Sequence, residues 1–435
     1  MNSIDEVVIS NPKLYMDCTS SQESRIFPYY AGYSKSFAEN IISSTKTKSN
    51  SVVLDPWNGS GTTTKSAYCN GKNSIGFDLN PVMVIVAKAA MLSPLEYPSL
   101  VSIAKTLVEQ AQIYIQRDCS ADDMLLTWFI PKSTVLIRSL ELSINKILIC
   151  NDSYVSLNDN AGMEKLSPLA AFFYVALFRT VRRLLKEFLP SNPTWVKHPK
   201  NKLNRKRSDF CLISTIFIEE VKALISWSER VSSPFHETKA DISLKIGNAA
   251  KILIPDNTVD LIISSPPYCT RIDYAVATSL ELAVIRFTME EYEILRRTLT
   301  GTSTVNREIP EIEDCWGSTC INFLENLYSH PSKASKGYYY KNHVQYFRSI
   351  SSSLKEISRV VKPGGMCFLV VQDSYYKEIH NDVPKIISEM ANFSGLNIKR
   401  RVDFASTKSM VTLNPESKKY LKSRKSIESV ICLIK

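Results

Sequence analysis

The feature that most constrains the fold is the stretch of residues 51–81, SVVLDPWNGSGTTTKSAYCNGKNSIGFDLNP. It begins with an apolar run that ends on Asp55, which is typical of a buried strand. A proline and the glycines Gly59 and Gly61 then break the chain into a tight loop. A short helical pattern follows, and a second apolar run ends at Asp78. The sequence therefore predicts a strand–loop–helix–strand unit of an α/β fold, with its glycines at the first change of direction.

The glycine loop of this unit has the chemistry of a cofactor site. Gly59 and Gly61 have no Cβ, so the backbone can approach a ligand and adopt positive φ at little cost. Asp78, at the tip of the second strand, is placed to accept hydrogen bonds from two ribose hydroxyls. Thr64 stands where a dinucleotide-binding loop would have its third glycine, so S-adenosylmethionine fits better than NAD. An ordinary strand–helix turn is the competing interpretation of this stretch alone.

A second motif, Ser265-Pro266-Pro267-Tyr268, follows the apolar run 259–263. Two successive prolines remove backbone donors and stiffen the chain, which leaves the carbonyls of Ser265 and Pro266 to face a ligand. The Ser265 hydroxyl adds an acceptor, and Tyr268 offers a flat face to a planar base. Acceptors that hold the hydrogens of an aromatic amine make its nitrogen more nucleophilic. Taken alone, the motif could equally be a simple Pro-Pro turn.

The overall composition is that of a globular protein whose positive charge favours an anionic partner, although a merely soluble basic protein would carry the same charge. The 435 residues are 44% hydrophobic and 22% charged, and the formal charge of +10 favours nucleic acid. The ten cysteines form no CxxC pair, so neither a zinc site nor a disulfide scaffold is indicated, and a reducing cytosol is the simplest location. The N-terminus lacks the pattern of a secretory signal. The most apolar stretch, 166–189, carries four basic residues and predicts an amphipathic helix rather than a membrane span.

The patterns along the chain divide it into three parts. Residues 1–94 contain the glycine loop, 95–237 show helical spacing of apolar residues with few strand signals, and 238–435 return to an α/β pattern. We interpret 95–237 as a helical insertion into an α/β domain. The stretch 294–340, rich in Gly, Pro and Tyr, predicts a second, irregular insertion.

Two basic segments stand out. Residues 197–207, KHPKNKLNRKR, hold six Lys or Arg and one His, and residues 418–425 hold five Lys or Arg. Such runs are usually solvated loops, but in a basic chain they are also candidate phosphate contacts.

Taken together, the motifs DPWNGSGTT, GFDLNP and SPPY resemble the amino-methylating DNA methyltransferases that use S-adenosylmethionine. The initial serine of SPPY is most similar to the cytosine-N4 branch. FPYYAGYS, residues 27–34, resembles the upstream cofactor motif of that family, and the resemblance covers about 25–92 and 241–435. It implies cofactor contacts from Phe27, Tyr33, Asp55, Pro56, Gly59, Gly61, Thr62, Asp78 and Asn248, and catalytic roles for Ser265, Pro266, Pro267 and Tyr268. Asn248 departs from the usual Asp, and Trp57 from the usual Phe.

The resemblance also implies a fold. We expect a Rossmann-like, mostly parallel seven-stranded sheet flanked by helices, with one antiparallel strand near the end. Cofactor and base would both bind at the carboxyl ends of the central strands. Ser265 should then follow the strand that neighbours the one ending at Asp55.

The activity that the resemblance implies is transfer of a methyl group to cytosine N4 within a short sequence of double-stranded DNA. The target base must then be flipped out of the duplex, with Tyr268 stacking on it. Such enzymes commonly work beside a restriction or phage-defence nuclease, in the cytoplasm at the nucleoid, without a membrane. Adenine-N6 methylation is the nearest alternative. Less favoured are RNA amino methylation and a non-catalytic DNA-binding module.

Several residues near SPPY are weaker candidates. Cys269 follows the tyrosine, so we expect passive packing and not a nucleophile. Arg271, Asp273 and Tyr274 could contact the base or its phosphates, although Asp273 could equally cap a helix. Residues 372–376 follow a predicted strand and are candidates for the same pocket.

Overall fold

A seven-stranded mixed sheet forms the centre of the molecule. The structure, a computed structural model, describes residues 4–13, 26–27, 32–190, 195–231, 238–269, 272–309, 311–406 and 426–435. In these ranges the strands are β1 (Val52–Asp55), β2 (Asn73–Asp78), β3 (Ile242–Ile246), β4 (Val259–Ser264), β5 (Val361–Gln372), β6 (Ser374–Tyr376), β7 (Ile379–Asn381), β8 (Asn397–Ser406) and β9 (Ser426–Ile434). The helices are α1 (Lys35–Ser44), α2 (Thr62–Cys69), α3 (Pro81–Ala89), α4 (Tyr97–Ile113), α5 (Pro131–Leu148), α6 (Asn160–Lys165), α7 (Pro168–Leu184), α8 (Phe210–Val231), α9 (Tyr274–Ala277), α10 (Ser279–Val284), α11 (Met289–Thr298), α12 (Ser318–Ser329), α13 (Tyr340–Val360) and α14 (Val383–Phe393).

The strand order is β3-β2-β1-β4-β5-β9-β8, and β6 and β7 form a separate hairpin. Strands β3, β2, β1, β4 and β5 pair in parallel, whereas β9 is antiparallel to both of its neighbours. This is a Rossmann-like α/β methyltransferase fold, and the predicted fold class is confirmed.

Alternate residues of the central strands pack on opposite faces of the sheet. In β1, Val53 packs with α1, whereas Leu54 packs with α13 and α14. In β4, Ile263 and Ile262 divide in the same way. Each residue is fully buried, as expected of a central parallel strand that is covered by helices on both faces.

Most of the remaining helices form one body beside the sheet. Helices α3, α4, α5, α7 and α8 share a core in which Phe172, Phe173 and Phe178 are at most 1% exposed. The apolar stretch that the sequence interprets as an amphipathic helix is the core helix α7, and its Arg182 is paired with the buried Glu281. The domain bounds at 95 and 237 remain a prediction.

The second half of the chain is more finely divided than its sequence suggests. Residues 274–298 hold three helices, α9, α10 and α11. Arg286 adopts φ +65° after α10, and a Thr288–Glu291 capping box starts α11. The stretch 294–340 is not wholly irregular, because it contains α12, whose buried Cys320, Phe323, Leu324 and Leu327 follow helical spacing.

No single described helix is long and apolar enough to cross a membrane. The bent pair α3 and α4 passes the same criterion of length and composition only when its two helices are combined.

Candidate functional site

The two sequence motifs meet at the carboxyl edge of the sheet. Strands β1 and β4 pair in parallel, so Asp55 at the end of β1 lies beside Ser264 at the end of β4. The Ser264 hydroxyl donates a hydrogen bond to the Asp55 carboxylate. The expectation that Ser265 follows the strand next to the one ending at Asp55 is confirmed.

A cleft opens where the loops after β1, β2, β3 and β4 come together. Its lining combines the loop after β1, the tip of β2 and the SPP residues of the second motif, with a roof from the segment after α11. The lining residues are Pro56, Trp57, Asp78, Leu79, Asn80, Met83, Gly247, Ala249, Ser265, Pro266, Pro267, Tyr274, Leu299 and Thr300. Residues from both motifs therefore share one cavity.

The glycine loop adopts the backbone that its sequence predicts. Gly59 has φ +49° and Gly61 has φ +85°, both in the left-handed region that glycine tolerates best. A Cβ at Gly61 would stand 3.0 Å from the Cβ of Ala87 on α3, so glycine also permits close packing of the two helices. Gly61 is the N-cap of α2 and no side chain of the described residues caps that helix, which leaves its first-turn N–H groups available to a ligand. Thr62 is the first residue of this turn.

Asp78 presents a carboxylate at the cleft wall. Its Oδ2 accepts from the Gly59 N–H at 3.0 Å and its Oδ1 from the Asn80 N–H at 2.8 Å. Burial raises the pKa of Asp78 from 3.8 to about 6, an effect that the two backbone hydrogen bonds reduce. The carboxylate is therefore ionised at neutral pH, and each oxygen has one lone pair left for a hydroxyl donor.

Asp55 and Tyr33 form a buried network beneath the loop. The Tyr33 hydroxyl donates to Asp55 Oδ2 at 3.2 Å and lies within hydrogen-bonding distance of Thr63. Tyr33 is 6% exposed and Asp55 is 3% exposed, and burial raises the pKa of Asp55 to about 6. Neither side chain is among those that line the cleft, so the structure places them as supports of the glycine loop.

Two further predicted cofactor residues lie away from the cleft lining. Phe27 packs edge-on against Phe178, with Arg182 5.2 Å from its ring centre, so its ring belongs to the helical core. Asn248 accepts from the Ala250 N–H at 2.9 Å and so stabilises its own turn, while its neighbours Gly247 and Ala249 line the cleft. The predicted motif around 28–31 lies outside the described residues.

The SPPY motif is firmly held by its surroundings. The Ser265 hydroxyl donates to the Val370 carbonyl of β5 at 3.0 Å, which leaves its lone pairs as acceptors. Tyr346 donates to the Pro267 carbonyl at 2.9 Å. Tyr268 is 5% exposed and its hydroxyl donates to Glu428 at 2.9 Å. The ring predicted to stack on a base is therefore buried beside the cleft rather than open to it.

The roof of the cleft was not found by sequence reasoning. Leu299 and Thr300 line the cleft, and a Cβ at Gly301 would lie 3.2 Å from the Tyr268 carbonyl oxygen. Asp273 caps α9 and also accepts from Arg296 and Ser303, both at 2.7 Å, which ties this segment to the start of α9. The Gly301 turn is visible in the sequence, but only the fold brings it onto SPPY.

The weaker candidate residues near SPPY lie in different environments. Cys269 is 9% exposed and accepts from Asn381 at 3.6 Å, a packing position. Tyr274 lines the cleft, whereas Arg271 lies outside the described residues. At the end of β5, Asp373 accepts from the Ile427 N–H at 2.8 Å and is 3.1 Å from His380.

The basic segment 197–207 is largely exposed. Its backbone is anchored by Trp128, whose indole N–H donates to the Lys197 carbonyl at 3.0 Å. Leu203 is 91% exposed amid the basic side chains. Lys206 pairs with Glu187 at 3.2 Å, so part of the charge is internally compensated. The second basic segment, 418–425, lies outside the described residues.

Comparison with known proteins agrees with this geometry. The model of a DNA methylase family, the N6/N4 methylases, matches residues 13–89. Type II methyltransferase M.BsoBI of Geobacillus stearothermophilus is 25% identical over 338 residues, which is 73% of this chain and 63% of that protein. Type II methyltransferase M.AvaI of Nostoc sp. is 22% identical over 421 residues, covering 88% of this chain and 80% of its own length. Type II methyltransferase M.MvaI of Kocuria varians is 24% identical over 379 residues, with 81% and 76% covered. The fold, the family match and these relatives together support an amino DNA methyltransferase of the N4/N6 type.

Proposed function

We propose that this chain transfers a methyl group from S-adenosylmethionine to the N4 amine of cytosine within a short sequence of duplex DNA. The observation that carries the proposal is the shared cleft. Pro56, Trp57 and Asp78 line it from the cofactor side, and Ser265, Pro266 and Pro267 line it from the other. The two halves of the reaction thus have adjacent sites at one edge of the sheet.

The residues of the first half fit S-adenosylmethionine. The positive φ of Gly59 and Gly61 and the uncapped start of α2 expose backbone N–H groups to a ligand, and Asp78 can accept from ribose hydroxyls. Bound S-adenosylmethionine supplies a methyl group activated by the sulfonium. Asp55 and Tyr33 act from below by fixing the loop.

The residues of the second half fit an aromatic amine. Ser265 Oγ is held by Val370, and the two prolines stiffen the carbonyls of Ser265 and Pro266 as acceptors for the amine hydrogens. Holding both hydrogens directs the nitrogen lone pair out of conjugation with the ring. The amine then needs no covalent enzyme intermediate, in keeping with the buried, packed Cys269.

DNA would reach this cleft by flipping of the target base, because an amine within the duplex is inaccessible. The exposed Lys and Arg side chains of 197–207 are proposed phosphate contacts. The proposed setting is restriction–modification or phage defence, beside a cognate nuclease, in the cytoplasm at the nucleoid. The relatives named above are Type II methyltransferases, which favours this setting.

The decisive experiment is methylation mapping by single-molecule sequencing of DNA from cells that express the chain. We expect N4-methylcytosine in one short sequence context. Finding N6-methyladenine instead would leave the proposals on the fold and the cofactor intact and would change the target base to adenine, since the matched family includes both types. Purified protein that binds S-adenosylmethionine but modifies no DNA would contradict the proposal.

A Ser265→Asp variant tests the choice of base directly, because aspartate is the more usual first residue in adenine enzymes of the resembled family. We expect cytosine activity to fall at least tenfold while calorimetric affinity for S-adenosylmethionine stays unchanged. Ser36→Asp, at a site on α1 away from the cleft, controls for the added charge.

A further inference from the structure

Two charged groups from distant parts of the chain, Glu428 and Lys13, meet at the Tyr268 side chain. The Tyr268 hydroxyl donates to Glu428 Oε1 at 2.9 Å. Lys13 Nζ lies 3.1 Å from the same hydroxyl, 3.3 Å from Glu428 Oε1 and 5.4 Å from the ring centre. We call Lys13, Tyr268 and Glu428 the tyrosine clamp.

The clamp does not use all of the hydrogen-bonding capacity of its carboxylate. Glu428 is 1% exposed, and its Oε1 receives both contacts. Within the described part of the chain, its buried Oε2 has no hydrogen-bond partner. A buried acceptor without a donor costs free energy, and packing alone does not require a carboxylate there. Among the described residues, the partners of this carboxylate are thus Tyr268 and Lys13, which makes holding the tyrosine hydroxyl its role in the fold.

Glu428 lies at the edge of the sheet where the cleft opens. It pairs with Gln372 at the carboxyl end of β5, and β5 in turn pairs with β4, which leads into SPPY. Because β9 is antiparallel to β5, the start of β9 meets the carboxyl ends of the parallel strands. The carboxylate thus reaches the SPPY tyrosine from a strand that carries no recognisable motif.

We propose that Glu428, together with Lys13, holds the Tyr268 hydroxyl and that Glu428 is thereby a positioning residue for the tyrosine ring. This inference rests on the proposed function, since it assumes that the Tyr268 ring, buried beside the cleft in this structure, becomes accessible and stacks on a flipped base. Lys13 lies at the hydroxyl end of the ring, 3.1 Å from the oxygen and 5.4 Å from the ring centre, so it shares this anchor and does not itself cover the ring face. Losing either partner of the hydroxyl should therefore loosen the orientation of the ring.

The test measures base flipping and kinetics separately, in the duplex that methylation mapping identifies. A fluorescent analogue at the target position, pyrrolocytosine for cytosine or 2-aminopurine for adenine, reports flipping. We expect Glu428→Ala and Tyr268→Phe each to lower the flipping signal and to raise KM for DNA about tenfold or more. The double variant should be no worse than either single variant, because both remove the same hydrogen bond. Glu428→Gln, which keeps an acceptor, should recover most of the signal.

The chain offers a matched control for the removal of a buried tyrosine–carboxylate bond. In the helical body, the Tyr174 hydroxyl donates to the buried Glu141 at 2.9 Å. Tyr174→Phe should lower the melting temperature to a similar degree as Tyr268→Phe without changing flipping or KM. Glu428→Ala that lowers the melting temperature alone, with wild-type flipping and KM, would overturn the positioning role.

Lys13→Met tests the other half of the clamp. It removes one of the two groups that hold the Tyr268 hydroxyl, so we expect a weaker flipping signal than in the wild type at equal DNA concentration. A signal equal to or stronger than that of the wild type contradicts the role of Lys13 in the clamp. If the wild-type protein methylates no DNA, the proposed function fails first, and this outcome is distinct from an active wild type whose Glu428 variants behave normally.

Discussion

At the scale of single residues, the site depends on carboxylates that the fold buries and supplies with hydrogen-bond donors. Asp78 is the clearest case, because two backbone N–H groups and burial act on its pKa in opposite directions. Burial dominates, so this carboxylate titrates near pH 6 rather than near 4. The consequence is a pH dependence that can be measured in both ligand binding and stability.

We expect affinity for S-adenosylmethionine to fall as the pH drops through about 6, because protonated Asp78 loses acceptor capacity for the ribose. At pH 5 the ionised fraction is about one tenth, so the dissociation constant should rise about tenfold. Stability changes in the opposite direction. A folded-state pKa above the ordinary 3.8 means that this group stabilises the fold at low pH and that the contribution disappears as the pH rises through about 6.

Calorimetric titration between pH 5 and 8 checks the binding part. Asp78→Asn should bind weakly at every pH, with a flat profile over this range. A wild-type profile that is flat from pH 8 to 5 would contradict the role given to Asp78.

Gly61 permits a second test at the same scale. In Gly61→Ala the new Cβ meets Ala87 at 3.0 Å and the residue keeps φ +85°, so both strain and overlap destabilise the fold. The matched control is Gly364→Ala, with φ +76° and, in the described part of the chain, no heavy atom within 4 Å of the added Cβ. We expect Gly364→Ala to cost about 1–2 kcal/mol in urea unfolding for the backbone alone. Gly61→Ala should cost more and should also weaken S-adenosylmethionine binding. Equal destabilisation by the two variants would show that the approach to Ala87 is harmless.

At the scale of elements, sequence periodicity predicted the strands and helices whose buried residues follow a regular spacing. The central strands β1 and β4 are apolar apart from Asp55, Asp260 and Ser264, and α2 begins directly after Gly61. The break between α10 and α11 has no local sequence signal, because it depends on the positive φ of Arg286, which contacts Glu141 and Tyr154. Likewise, the burial of Tyr268 depends on Lys13 and Glu428, which no local pattern connects to it.

The junction between α7 and α10 carries a prediction of its own. Arg182 pairs with Glu281, which is fully buried, and donates to the Ala277 carbonyl at 2.6 Å. Arg182→Met leaves the carboxylate without its partner, so we expect the free energy of unfolding in urea to fall by about 3–5 kcal/mol. Lys35→Met, which breaks the exposed pair Lys35–Glu39, should cost less than about 0.5 kcal/mol. A small effect of Arg182→Met would mean that Glu281 finds another donor.

At the scale of the whole molecule, the parallel sheet separates two edges with different surroundings. Its carboxyl edge holds the cleft, and its amino edge holds the starts of β1, β5 and β8. The net charge of +10 by itself does not distinguish these edges. The basic segment 197–207 lies in the helical body and presents exposed lysines, so DNA binding should depend on where charge is removed and not only on how much.

We therefore expect the triple variant Lys197→Ser, Lys200→Ser and Lys202→Ser to weaken binding of duplex DNA with little dependence on its sequence. Each lysine that no longer neutralises a phosphate should reduce the slope of log K against log salt by about 1, so up to about 3 in total. The control removes the same charge near the amino edge, at the exposed Lys48, Lys355 and Lys399. Both variants have an equal net charge, so a purely long-range electrostatic effect would lower their affinities equally. Fluorescence anisotropy titrations at several salt concentrations separate the two outcomes. Equal slopes in both triple variants would remove 197–207 from the DNA-binding surface.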